Sequence, residues 1–290
     1  MGIVIAVANN KGGVAKTTTA CNLAHGLAMD IEAAGGGVIL VDLDPQSSAA
    51  KFFGVYNQVY SASNQNGSCI SFYLTNQANL AETVIHLDRP DDGLPRPNLY
   101  LIPASRELEY TTEDLIANET DRLRDEARGR RGRKAAPPLD DLLTHYLAPV
   151  IEQFDYVILD CPPKLDTLKT AVYNVADYVI APTAADYMSV SGLMEHTEDL
   201  ASLKEFKQVK AELALVVPTV VRSREVLDRE MRDLLVETYG AERVADPIPA
   251  SVSIKQSPAA GGRSIFEYKP NTPASDAYWH LAQRVRNELT

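Results

Sequence analysis

At 290 residues the chain has room for one large α/β domain or two small ones; a single domain over residues 1–290 with a substantial core is the simpler expectation. Its 28 basic and 39 acidic side chains leave a formal net charge of −11, which excludes a uniformly basic nucleic-acid coat and leaves only a local patch for DNA. Cys21, Cys69 and Cys161 make no CxxC pair, no apolar run is long enough to span a bilayer, and the start "MGIVIAVANN" lacks a basic leader, so a soluble, cytoplasmic protein without a disulfide framework is expected.

In chain order, apolar and β-branched runs at 3–8, 37–44, 98–104, 156–163, 177–183 and 213–219 read as strands buried on both faces, because their apolar residues are continuous rather than alternating. Helical spacing occupies 17–33, 139–153, 189–210, 224–239 and 274–289. This alternation predicts an α/β fold, a doubly wound and mostly parallel sheet with helices on both faces. Ligands of such sheets sit at the carboxyl ends of the strands, where the loop 9–16, Asp42, Asp44, Asp160 and Pro182-Thr183 fall. The stretches 57–69 and 118–138 read as loops. The second, "NETDRLRDEARGRRGRKAAPP", is expected to be a flexible basic surface excursion.

The loop "NNKGGVAKTT" joins the first strand to the first helix, the setting in which backbone N–H groups and a helix N-terminus grip phosphate. In the pattern GxxxxGK[ST] the lysine reaches the β- and γ-phosphates and the hydroxyl binds Mg²⁺, roles that Lys16 and Thr17 fill. Asn10 and Ala15 stand where the glycines would be. An Ala at positive φ costs on the order of 1 kcal/mol, small beside several charge-assisted bonds to a triphosphate. Lys11, Gly12, Gly13, Val14, Ala15, Lys16, Thr17 and Thr18 are therefore the nucleotide-binding candidates; the plainer alternative is a structural turn with solvated lysines.

"VILVDLDPQ" ends a strand with Asp42 and Asp44 two apart and so expected on one face, Asp42 to hold water on Mg²⁺ and Asp44 to orient the attacking water. Solvent-facing strand caps are the alternative. "YVILDCPP" ends another strand in Asp160, the kind of carboxylate that holds the metal in P-loop NTPases, or else a turn starter. The loop 246–262, with Pro249, offers a rigid wall for a purine base. Lys11 is not explained by the general pattern. Because Lys16 already serves the phosphates, a second loop lysine suits a reach across a dimer interface to the charge that builds on the γ-phosphate; an exposed loop lysine is the alternative.

With "KGGVAKTT", "VILVDLDPQ" and "YVILDCPP" in this order, the chain resembles the deviant Walker-motif ATPases of the ParA/MinD family, in particular the ParA-type partition and positioning ATPases, over nearly its whole length. The resemblance implies that Lys11 is the signature lysine, Lys16 the P-loop lysine, Thr17 a Mg²⁺ ligand, Asp42 and Asp160 magnesium groups acting through water, and Asp44 the group that positions hydrolytic water. It implies an ATP- and Mg²⁺-dependent homodimer that binds DNA without sequence preference over the nucleoid, with a ParB-like or other cargo adaptor stimulating slow hydrolysis. Lys164, where small hydroxyl residues are common, and the length of 118–138 depart from the family pattern. No helix-turn-helix precedes the ATPase core, so operator-specific binding is not expected.

For DNA, Lys204, Lys207 and Lys210 at three-residue spacing, with Arg222, Arg224, Lys255 and Arg263, are the candidates, against a solvated helix face. The run "RGRRGRK" reads equally as a DNA-contacting arm or a soluble loop. The tail "SDAYWHLAQRVRNELT" reads as a helix packed on the core rather than a membrane anchor, so no membrane partner is expected. A MinD-like membrane ATPase and a metabolic ligase or iron-sulfur carrier on the same fold are the competing functions; the missing CxxC opposes the carrier.

Overall fold

Each apolar run forms a strand trimmed to its buried part. The strands are β1 Ile3–Val7, β2 Val38–Asp42, the short β3 Ile85–His86, β4 Leu99–Ile102, β5 Tyr156–Asp160, β6 Tyr178–Ala184 and β7 Glu212–Thr219. The computed structural model describes residues 2–59, 69–128, 137–222 and 225–289. Among these residues the strands form one sheet in the order β3-β4-β2-β5-β1-β6-β7, parallel throughout except for β3 on β4. The α/β, doubly wound, mostly parallel sheet expected from the sequence is what the chain adopts.

The helices are α1 Lys16–Ile31, α2 Ser48–Phe52, α3 Tyr56–Val59, α4 Ile70–Leu74, α5 Leu80–Thr83, α6 Glu107–Ala127, α7 Leu142–Gln153, α8 Lys169–Val175, α9 Tyr187–Lys207, α10 Val226–Tyr239, α11 Val252–Gln256, α12 Ile265–Tyr268 and α13 Pro273–Glu288. The strand pleat divides the central residues between two cores. Ile5, Val7, Leu40 and Ile158 pack beneath α1 and α13, whereas Val4, Ala6, Ile39 and Leu159 pack beneath α4, α6, α7 and α8. Burying each such aliphatic side chain contributes roughly 1.5–3 kcal/mol, which is why these strands are apolar without alternation.

The tail is a core helix: Tyr278, Leu281, Ala282 and Val285 of α13 are buried against α1, and Trp279 meets Phe266 edge-on. Gly26 makes the approach possible, since a Cβ there would lie 2.9 Å from that of Ala282. No described helix is long and apolar enough to cross a membrane.

Two sequence expectations are corrected. Residues 118–127, read as part of a loop, continue α6, where Arg122 bridges Glu119 and Glu126 and Arg124 pairs with Asp121. The pairs at helical spacing support a turn that the apolar pattern alone does not mark. Arg130, Arg131, Arg133 and Lys134 lie outside the described residues. The helix read as 189–210 ends at Lys207, where Gln208 turns left-handed at φ 57, so Lys210 is not on it.

Candidate functional site

β1 sits near the middle of the sheet, with β5 and β2 on one side and β6 and β7 on the other, and the loop that leaves it is tied to β6 and β7. The buried Asn9 donates its amide to the Pro182 carbonyl near the end of β6 (2.8 Å) and accepts the Lys11 N–H (2.9 Å). Farther on, the Thr219 hydroxyl at the end of β7 donates to the Val14 carbonyl (3.1 Å). Ala15 then enters the left-handed region (φ 64, ψ 31), and α1 starts at Lys16 with no side chain capping its first turn. The first amides of a helix have no intrahelical partner, so this turn presents N–H groups, with Thr17 and Thr18 on it, to an anion.

Lys16 is almost completely buried, and its ammonium donates to the Lys11 carbonyl (2.7 Å). Burial lowers its pKa, while Asp160, Cys161 and Asp44 pull it back up. Lys11 is half-buried, its stem against α9, where a Cβ on Gly192 would lie 3.3 Å from the Lys11 Cβ.

The acidic residues are brought together as expected, though not in the way the sequence suggested. Asp42 and Asp160 are register partners at the ends of β2 and β5, both fully buried. Asp44 is not on the strand with Asp42. β2 stops at Asp42, whose carboxylate accepts the N–H groups of Asp44 (2.9 Å) and Ala49 (3.0 Å), so a side-chain turn, and not strand alternation, carries the two acids into one site. Neither oxygen of Asp160 completes a hydrogen bond among the described residues, and the Thr17 hydroxyl lies beside it without closing one. Burial raises the Asp160 pKa to about 7 against the lowering by Thr17 and Lys16, and burial with the Asp160 charge raises that of Asp42.

These residues fit a nucleoside triphosphate with Mg²⁺. A buried carboxylate with both oxygens unpartnered is costly unless a cation or its water shell faces it. A Cβ on Gly12 or Gly13 would meet no atom within 4 Å, and Gly13 has φ 80, so the loop backbone is bare where phosphate approaches. Among the described residues no group of three or more His, Cys, Asp or Glu could hold a metal alone. Pro249 runs beside Val221 just past β7, on the flank that Thr219 ties to the loop. Val220, between them, is left-handed at φ 56, a strained setting for a β-branched residue.

The basic candidates are not assembled into a free patch. Lys204 pairs with Glu212 (3.0 Å), Lys207 with Asp140 (3.0 Å), Lys210 with Asp177 and Arg222 with Glu225 (3.5 Å). Lys255 closes α11, and the Arg263 N–H bonds to Ser257. Arg224 lies outside the described residues. Sequence reasoning missed Thr219, although its Pro-Thr strand ending repeats that of Thr183, and it missed the side chains that hold Asn10, for which no local signal exists.

Residues 2–214 match the family described as an AAA domain. The chain is 29% identical to the chromosome-partitioning ATPase Soj of Thermus thermophilus over 284 residues, covering 97% of this chain and 94% of that one. Its fold is shared with the ATP complex of McdA from Cyanothece (TM-score 0.77, 20% identity, 98% and 96% of the two chains). It is shared also with a cobyrinic acid a,c-diamide synthase from Mycobacterium smegmatis bound to an ATP analogue and magnesium (TM-score 0.73, 23% identity, 100% and 97%). The matched family and the full-length kinship with Soj converge on one assignment: the chain belongs to the AAA domain family, as one of its ParA/Soj-type P-loop ATPases.

Proposed function

We propose that this chain is an ATP-hydrolysing dimerisation switch that binds DNA without sequence preference and positions a cargo through an adaptor protein. The observation that carries the reading is the convergence of a buried Lys16, the uncapped first turn of α1 and the unpartnered Asp160 at one end of the central strands. Lys16 and the loop amides of Gly12 to Thr18 take the phosphates; Thr17, with Asp42 and Asp160 through water, holds Mg²⁺. Once bound there, Mg²⁺ would supply neutralisation of the phosphate charge. Asp44, half-buried beside them, orients the hydrolytic water, and Pro249 flanks the base. Lys11 spends only its backbone carbonyl on its own Lys16, so its ammonium is left to sense the γ-phosphate held by a second subunit.

DNA binding rests on the kinship with partition ATPases. Because Lys204, Lys207, Lys210 and Arg222 already pair within the chain, phosphates must compete with those partners, and Lys255 and Arg263 are the less committed cations. A cytoplasmic, nucleoid-bound protein with slow, adaptor-stimulated turnover follows. The test is retention of non-specific duplex DNA at low salt with ATP and Mg²⁺, alongside sizing of Asp44→Ala with ATP. DNA retention and a locked Asp44→Ala dimer support the reading. Liposome binding without DNA retention favours a membrane-associated relative, and turnover that needs a small carboxylic acid favours a ligase.

A further inference from the structure

The first residue of the phosphate-loop pattern is Asn10 rather than glycine, and its side chain is held from two sides. Helix α9 presents Gly192, His196 and Asp199, roughly one turn apart, to the start of the loop. His196 is buried, with Nδ1 3.1 Å from the Asn10 Oδ1 and Nε2 3.4 Å from the Tyr173 hydroxyl of α8. The Asn10 amide nitrogen donates to Asp199 Oδ2 (3.2 Å), which also accepts from Lys169 (2.7 Å). The hydrogen-bond logic permits one arrangement. Asn10 gives its nitrogen to a carboxylate, so its oxygen faces His196; Nδ1 must then carry the proton, and Nε2 accepts from Tyr173. Burial, with Lys169 adding to it, keeps His196 neutral by lowering its pKa to about 4, while the bond from Lys169 keeps Asp199 ionised.

Two of these bonds end on Asn10, the residue immediately before Lys11, and the other two brace His196 and Asp199 from α8. The Lys11 stem rests on the same helix stripe at Gly192. A glycine at position 10 would leave the start of the loop to the two bonds of Asn9 and untie it from α9, with more conformations to lose.

We propose that Asn10 and His196 are positioning residues for Lys11: the link from Asn10 through His196 and Asp199 ties the loop to α9 and sets the reach of the Lys11 ammonium toward a second subunit. Neither side chain touches a reacting atom. The inference rests on the reading that Lys11 acts across a dimer, so the test separates nucleotide binding from dimerisation.

The test titrates a fluorescent ATP analogue into wild-type protein, Asn10→Gly, His196→Leu and His196→Asn, and measures the ATP-dependent dimer dissociation constant of each by sedimentation. Asn10→Gly and His196→Leu should bind nucleotide within about twofold of wild type and dimerise about tenfold more weakly, a loss of the size that one or two buried hydrogen bonds carry. His196→Asn places an amide nitrogen where Nδ1 stood and should recover to within about threefold, as a merely space-filling histidine would not. In a Lys11→Ala background Asn10→Gly should add nothing. Because Asn10→Gly leaves the core intact, the test stands even where His196→Leu fails to fold. An Asn10→Gly protein that dimerises like wild type, or one that loses nucleotide affinity in proportion, overturns this inference alone. Wild-type protein that binds ATP and stays monomeric overturns the switch reading and this inference with it.

Discussion

Asp42 and Asp160 face each other across the β2–β5 ladder, both fully buried, and only Asp42 is bonded. The difference assigns them separate duties. Asp42 shapes the turn that carries Asp44 and has only its remaining lone pairs for a metal's water, whereas Asp160 keeps both oxygens for something the fold does not supply.

Asp160→Asn is therefore expected to stabilise the nucleotide-free protein while weakening its response to Mg²⁺-ATP. An aspartate titrates near 3.9 when unfolded, and burial raises Asp160 to about 7, so the folded chain keeps a proton that the unfolded chain has lost between those values. Stability falls as pH rises through that window, by up to about 4 kcal/mol above pH 7. Thermal melts from pH 4 to 8 should show Asp160→Asn above wild type at pH 8, with the gap closing toward pH 4. Parallel curves at all pH would refute it.

His25 carries the opposite dependence. It is buried against Ser264 (2.7 Å), and burial lowers its pKa to about 4. The unfolded chain takes up a proton near pH 6.5 that the folded chain refuses until about 4, so stability is lost as pH falls through this range, by up to about 3 kcal/mol. His25→Asn should melt progressively higher relative to wild type as pH drops from 6.5 to 4. A constant difference would assign the acid sensitivity elsewhere.

Ala15 and Val220 both hold left-handed backbone, at φ 64 and φ 56. Replacing either by glycine relieves a steric cost of about 1–2 kcal/mol and adds back a smaller backbone-entropy cost. Ala15→Gly and Val220→Gly should each raise the urea midpoint slightly, and Ala15→Gly should leave nucleotide affinity within about twofold, since the same amides face the phosphate. A fall in the midpoint would show that side-chain packing outweighs the strain.

Arg96 is among the largest fully buried side chains of the described residues, and its guanidinium clasps Glu267 through two bonds, holds the Gly262 carbonyl (2.7 Å) and lies over Phe53. Glu267→Ala should cost about 3–5 kcal/mol in denaturant unfolding, because it strands a buried cation. Arg96→Met with Glu267→Gln should recover much of that loss. Equal losses in the single and double variants would mean that packing, and not charge, sets the cost.

The sheet was legible in the sequence because parallel strands buried on both faces read as unbroken apolar runs, and the loop from Asn9 to Thr18 because strand, glycines and helix follow one another along the chain. Helix α6 was not, because it buries little beyond Leu108, Thr111 and Leu115 and carries charge on the rest of its surface. The lysines at 204, 207 and 210 looked like a patch because spacing shows cations and hides the acids set against them from β7, from the turn before α7 and from the turn before β6. The contact of Asn10 with His196 joins residues 186 apart and leaves no local trace.

The two borders of the sheet are finished differently. One ends in the antiparallel two-residue β3, while at the other the chain after α10 lies along β7 through the bridges Val216–Val244 and Val221–Pro249. Little backbone is left at either border for a foreign strand to copy, so growth by strand addition, the usual route to fibres, is blunted at both ends. The homodimer proposed above would therefore have to be joined through side chains and loops rather than by a shared sheet.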